Sequence, residues 1–306
     1  MSDIDRRQFL RNSAFSAAGL MMGKNVFNPS NPAAPKAPSS YNIMEEVEKY
    51  RMIDSHAHVY FSEQSPDIQI AFADRLGIDK LVISRPMARE KEGTPEDFRR
   101  CNDLVLECVK KYPGRFIGQM TLNPKFKEES LEEIKRCVDQ GMAGLKVYSH
   151  VNIADPSFYP IIEKFIDLDM IILMHHGIGR ARIEPAASEL DTVSTGTDFV
   201  EISRRYPEAL LQLAHLGGGI DWEAACKAVQ DCPNVHVDLS GSNNDANIID
   251  FALEYIGEDR LFFGCDNSFY QGVGHMLAAD LSESQRKKIF FDNYNDILKK
   301  SGNNVD

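Results

Sequence analysis

Between residues 50 and 300 the chain alternates short apolar runs with longer stretches in which apolar side chains recur every three or four positions. The runs fall at 51–55 (RMIDS), 79–84 (DKLVIS), 115–120 (RFIGQM), 143–148 (AGLKVY), 170–175 (MIILMH), 209–214 (ALLQLA), 235–239 (VHVDL) and 260–264 (RLFFG). Several are apolar almost throughout, as in parallel strands whose outer side is covered by helices. Helical periodicity falls near 94–111, 128–139, 157–167, 197–205, 222–230, 246–256 and 284–299. The first of these opens on Thr94-Pro95-Glu96-Asp97, with a capping hydroxyl, a proline suited to the first turn and acids that favour the helix dipole, and Pro113-Gly114 ends it. Eight strands alternating with helices predict an α/β fold, a single-domain (β/α)8 TIM barrel. A doubly wound open sheet is the competing architecture, but no G-x-G-x-x-G follows the first strand.

In such a barrel the chemistry gathers at the C-terminal ends of the strands. Strand one ends in Asp54-Ser55-His56-Ala57-His58, strand five in Met174-His175-His176-Gly177, strand six in Ala214-His215-Leu216-Gly217-Gly218, and strand eight in Gly264-Cys265-Asp266. Strand four carries Lys146 within Gly144-Leu145-Lys146-Val147-Tyr148. Five of the eight histidines therefore fall where a barrel collects its reactive groups. Side chains two apart on a strand point the same way, so His56 and His58 share a face, and imidazoles suit zinc and similar divalent ions. By the same alternation His176 points away from His175.

These residues in this order resemble the amidohydrolase superfamily, in its small metal-dependent hydrolase and decarboxylase branch, over about residues 50–300. His56 and His58 match the family's H-x-H on the first strand, His175 its strand-five ligand, His215 its strand-six histidine and Asp266 its strand-eight aspartate. Asp238-Leu239-Ser240-Gly241 resembles the strand-seven D-x-S-G, and Asn293 the last-helix asparagine. The resemblance implies a metal site of His56, His58, His175 and Asp266, with zinc foremost and manganese or iron as alternatives, and one ion or two. His215 either binds a second metal or orients water. Lys146 is either carbamylated and bridging, as in two-metal branches, or it contacts substrate or packs.

A divalent ion with an open position lowers the pKa of its water to about 7, making a nucleophile for a carbonyl carbon. Asp266 and His215 are then the catalytic pair, Asp266 shuttling the proton and His215 stabilising the oxyanion. Arg85, Tyr148, His176 and Arg180 are candidate substrate contacts, the arginines as forks for a carboxylate. The expected function is hydrolysis of a small amide, ester or lactone. Non-oxidative decarboxylation on the same scaffold is the alternative, and a non-catalytic barrel the third reading. The long, glycine-containing stretch 177–198 is expected to act as a lid.

Charge and the termini refine this picture. The 306 residues carry a formal net charge of −12, which disfavours nucleic acid and anionic membrane surfaces as partners. Six cysteines include no C-x-x-C pair, so a thiolate cluster is not expected. No apolar run is long enough to span a bilayer. Arg6-Arg7, then Phe9-Leu10-Arg11 and a weakly apolar stretch to Gly23, resemble a twin-arginine export signal (residues 1–23). Residues 24–45, rich in Pro, Ala and Ser, read as a linker, and 46–306 as the catalytic domain. The expected partners are a small-molecule substrate, the twin-arginine export machinery and a second copy in a homodimer, with a periplasmic or otherwise exported location.

Overall fold

Eight parallel strands follow one another in chain order: β1 (Ile53–His58), β2 (Lys80–Ser84), β3 (Phe116–Gly118), β4 (Gly144–Val147), β5 (Ile171–Met174), β6 (Leu210–Leu213), β7 (Val235–Asp238) and β8 (Leu261–Phe262). The computed structural model describes residues 42–60, 65–87, 90–177, 192–241, 243, 245 and 247–306. The export motif, most of the linker, and most of the 177–198 loop with Arg180 lie outside the described residues.

β1 to β3 form one ladder and β4 to β8 another, all parallel. The β3/β4 seam is closed by Met120 N–H on Gly144 O at 2.9 Å and Lys146 N–H on Met120 O at 2.8 Å. The β8/β1 seam is closed by Ser55 N–H on Phe263 O at 3.0 Å and Asp266 N–H on His56 O at 2.7 Å. Backbone hydrogen bonds thus run around the whole ring, consistent with a (β/α)8 barrel.

Side-chain alternation divides the apolar residues between two compartments. Leu81, Ile83, Leu145, Val147, Ile172, Met174, Leu211, Leu213, Val235 and Val237 join the shell packed under the helices. Ile53, Val82, Ile171 and Phe262 belong to a separate cluster with Phe291, Tyr294, Ile297 and Leu298, which floors the barrel from its N-terminal side. β1 departs from simple alternation. Its register against β2 slips between Asp54 and Ala57, a bulge that lets inward Ile53 and inward His56 occur on one strand.

Among the described residues the helices are α1 (Ile43–Val47), α2 (Pro66–Leu76), α3 (Pro95–Lys111), α4 (Lys127–Asp139), α5 (Tyr159–Asp167), α6 (Gly196–Arg205), α7 (Trp222–Val229), α8 (Ile248–Ile256), α9 (Phe269–Ala278), α10 (Glu283–Lys287) and α11 (Asn293–Lys300). α3 carries the expected capping box between Thr94 and Asp97. α2 and α9 have no counterpart in the sequence pattern, for physical reasons. In α2 the stripe is inverted locally, with Ile68 exposed and Gln69 fully buried. In α9, Gly272 and Gly274 dilute helical propensity. The helix expected over 284–299 is instead α10, a π turn over Lys288–Asp292, and α11. Asn293 joins the start of α11 to β8 by donating to Glu258 O at 2.7 Å and Leu261 O at 2.9 Å.

Candidate metal centre at the strand ends

The bulged end of β1 turns His56 and His58 inward, their Nε2 atoms 3.2 Å apart. Asp266 reaches them from beyond β8, its Oδ1 3.1 Å from His58 Nε2 and 3.8 Å from His56 Nε2. Ligand atoms of these three residues lie within 4.8 Å of one another. The histidines are almost completely buried, whereas the Asp266 side chain is 31% exposed and forms the solvent-facing side of the cluster.

The surroundings fix how the imidazoles are presented. Asp238 Oδ2 stands 3.2 Å from His56 Nδ1, so this nitrogen carries the hydrogen and Nε2 offers its lone pair to the cluster. His58 Nδ1 meets Ser84 Oγ at 3.0 Å. Such a donor set, with its outer nitrogens already engaged, fits a divalent cation. Asp238 does more than orient His56. Its Oδ1 accepts the His215 N–H at 2.9 Å and the Ser240 hydroxyl at 2.5 Å, and its Oδ2 accepts Gln212 Nε2 at 3.0 Å. The Asp238-Leu239-Ser240-Gly241 motif does not by itself assign Asp238 this role. Its inward position on β7, facing the H-x-H strand, was the available signal.

His175 and His215 form a second pair beside the cluster, with His215 Nε2 and His175 Nδ1 2.8 Å apart. The His215 ring stacks on that of His56 at 5.7 Å between centroids. His215 leaves β6 at φ 37 and Asp266 leaves β8 at φ 45, left-handed conformations that non-glycine residues adopt at a cost of about 1–3 kcal/mol. Gly218 makes the first possible. A Cβ built on it would lie 2.1 Å from His215 Nδ1.

Lys146 extends into the same region from β4, fully buried, and its ammonium has no hydrogen-bond partner among the described residues. Burial lowers its pKa to about 8, against the attraction of Asp266 and Asp238. Burial also lowers His58 to about 4 and His215 to about 3, so both rings are neutral near pH 7. Burial alone would raise Asp266, but the neighbouring His56, His58 and His215 hold it well below the usual carboxylate range. Burial pushes the Cys265 thiol far up, which suits a packing residue and not a nucleophile.

Of the other candidates, Tyr148 stays beside the site, and Arg85 and His176 are engaged elsewhere. Tyr148 lies against His175, ring centroids 4.2 Å apart. Arg85 is paired with Glu90 at 3.0 Å. His176 is turned to the outer face of β5, as strand alternation requires, beside Phe199 and 3.7 Å from Asp221, and does not join the cluster.

Three likenesses bear on the chemistry. A gamma-resorcylate decarboxylase of Polaromonas sp. (strain JS666) is 27% identical over 292 residues, covering 76% of this chain and 87% of that protein. A 2-amino-3-carboxymuconate-6-semialdehyde decarboxylase of Dictyostelium discoideum is 25% identical over 281 residues, covering 79% and 75%. A solved dihydroxybenzoic acid decarboxylase of Polaromonas sp. JS666, with bound manganese and the inhibitor 2-nitroresorcinol, superposes with a TM-score of 0.64 at 20% identity over 82% of this chain and 97% of that one. The two sequence relatives are decarboxylases, which overturns the expectation of amide, ester or lactone hydrolysis and favours the alternative, while the solved structure shows the shared fold. They do not favour zinc over other divalent ions. Residues 53–293 match the amidohydrolase family profile, and the chain belongs to that family.

Proposed function

We propose that this protein is a metal-dependent, non-oxidative decarboxylase of a small carboxylate bearing a hydroxyl next to its carboxyl group. The observation that carries the reading is its similarity to decarboxylases over more than three-quarters of its length. His56, His58 and Asp266 would hold the cation, with His175 beside them. When bound, a divalent ion would anchor the substrate's oxygens and draw electron density from the carbon that loses its carboxyl group.

The remaining work falls to the chain's own groups. Asp266 faces solvent and is held ionised, so it acts as a base before it acts as an acid. It takes the proton of the substrate hydroxyl and returns it to the carbon. The carbon–carboxylate bond breaks, its electron pair takes that proton, and carbon dioxide departs. The Lys146 ammonium is a buried cation in this region and offsets the substrate's negative charge. Neutral His175 and His215 line the site without adding charge that would hold the departing carboxylate.

The test is to incubate metal-loaded protein with carboxyl-labelled hydroxybenzoates and related unsaturated hydroxy acids, trapping carbon dioxide. Esters, amides and lactones are run in parallel. Labelled carbon dioxide from the acids supports the reading. Turnover of an ester, amide or lactone, or addition of water without carbon dioxide, would overturn it.

We further propose that residues 1–23 direct twin-arginine export, on the strength of Arg6-Arg7 followed by Phe9-Leu10 and an apolar stretch. Replacing both arginines with lysine should retain the protein in the cytoplasmic fraction. Unchanged export would discard the idea.

A further inference from the structure

The seam between β8 and β1 is where the proposed ligands meet, with His56 and His58 on one side and Asp266 on the other. Among the described residues no strand ladder joins these two edges. Besides the two main-chain bonds already described, side chains complete the stitching. Cys265 N–H donates to Asp54 Oδ1 at 2.9 Å, and His58 N–H donates to Asn267 Oδ1 at 2.9 Å.

Asn267 follows Asp266 directly, at φ 65 after φ 45. Two consecutive left-handed residues turn the chain sharply as it leaves β8, and asparagine tolerates that conformation better than most side chains. The turn carries the Asn267 amide back over the end of β1. Gln69 on α2 then locks it, with Nε2 2.9 Å from Asn267 Oδ1 and also donating to His58 O. Both main-chain polar groups of His58 are thus held by side chains, its N–H by Asn267 and its carbonyl by Gln69. Gln69 is fully buried and its Oε1 has no partner among the described residues. Burying an amide with one end unsatisfied is unfavourable. A helix needing only to fill space would use an apolar side chain, as α2 does with Ile70 and Ala73.

The geometry points to Asn267, held by Gln69, as a positioning residue that fixes Asp266 against His58 for metal binding. The inference rests on reading His56, His58 and Asp266 as a metal centre and is independent of the reaction that centre performs. Asn267 supplies no ligand itself. It sets the turn from which the Asp266 carboxylate projects, and ties the same turn to the His58 main chain.

The test titrates metal-free wild type, Asn267→Gly, Asn267→Asp and Gln69→Met with Mn2+, reading affinity by competition with a chromophoric chelator. Asn267→Gly keeps the left-handed turn but loses the amide oxygen, and should bind Mn2+ about 10–100-fold more weakly. Asn267→Asp keeps an acceptor oxygen in place and should bind close to wild type. A purely structural role would lower the melting temperature while leaving the affinity of the folded protein unchanged. Wild-type affinity in Asn267→Gly overturns the inference, as does equal weakness in Asn267→Gly and Asn267→Asp. Should Asn267→Gly fail to fold, Gln69→Met decides: weakened Mn2+ binding supports the clamp and wild-type binding overturns it. A wild type that takes up neither manganese, zinc nor iron overturns the metal centre and the clamp together. A wild type that binds metal but releases no carbon dioxide overturns the decarboxylase reading alone.

Discussion

Asp238 and His56 face each other across the barrel at 3.2 Å, a carboxylate on β7 setting the tautomer of an imidazole on β1. The other Asp238 oxygen accepts the His215 N–H at 2.9 Å, so a single buried side chain positions groups from two further strands. Asp238→Asn preserves shape but removes the charge that fixes the His56 proton on Nδ1. Metal affinity should fall about 10–100-fold, and turnover with it, while the far-ultraviolet circular dichroism stays native. Undiminished manganese uptake by Asp238→Asn would show that His56 needs no such partner.

The metal-free protein should lose stability on mild acidification. Above about pH 6.5 the His58 and His215 rings are neutral whether the chain is folded or not. Below that, the unfolded chain takes up protons that the folded rings refuse, down to about 4 for His58 and about 3 for His215, so folding stability falls with pH across this window. Asp266, held below the ordinary carboxylate range, adds a loss in the same direction once the pH drops beneath about 4. The urea midpoint of the metal-free protein should therefore decline between pH 7 and pH 5. A flat profile over that interval would contradict the neutral, buried state of these rings.

Lys146 presents a conflict between stability and chemistry. Its ammonium is fully buried without a hydrogen-bond partner among the described residues, so Lys146→Met should raise the melting temperature at pH 7 by about 2–8 °C. Turnover should fall by about 100-fold or more as an electrostatic partner of the substrate disappears. Because the folded amine titrates near 8 and the unfolded one near 10.5, wild-type stability should climb as pH rises between those values. Lys146→Met should lack that climb. Differential scanning calorimetry at pH 7 and pH 9.5 reads both effects.

Gly218→Ala tests the fit of the His215 ring. The added methyl would fall 2.1 Å from His215 Nδ1, so the ring or the loop has to move. A destabilisation of about 1–3 kcal/mol is expected, together with a drop in turnover larger than the loss of folded protein explains. Kinetics and thermal melting on the same preparation separate the two effects.

Much of the scaffold was legible because burial on both faces of a parallel strand leaves a strong apolar signal. All eight strands lie within three residues of the runs read from the pattern. The exceptions have local causes. The apolar run ends before β1 does because its polar end, Ser55-His56-Ala57-His58, does not look like a strand, and its bulge breaks the alternation that marks one. α2 leaves no periodic signal because Gln69 takes the inward place that a periodic pattern reserves for an apolar residue. The same residue is half of the clamp on His58, so the irregularity that hid the helix marks a side chain with polar work to do. At the site, His56, His58 and Asp266 were readable as metal-ligand types at strand ends. The supporting contacts of Ser84, Gln212 and Asn267 join strands that neighbour one another around the ring, but they depend on the register between those strands and on where each side chain ends, which the order of residues does not give.

The floor of the barrel has a temporal side. Tyr294, Ile297 and Leu298 come from the last helix of the chain and pack against Ile53 from the first strand and Phe262 from the eighth. A ribosome releasing this protein from its N-terminus therefore delivers all eight strands before it delivers the side chains that close their interior. A truncation near residue 290 would leave a chain with every proposed metal ligand but without Phe291, Tyr294, Ile297 and Leu298, the side chains that floor the barrel beneath them.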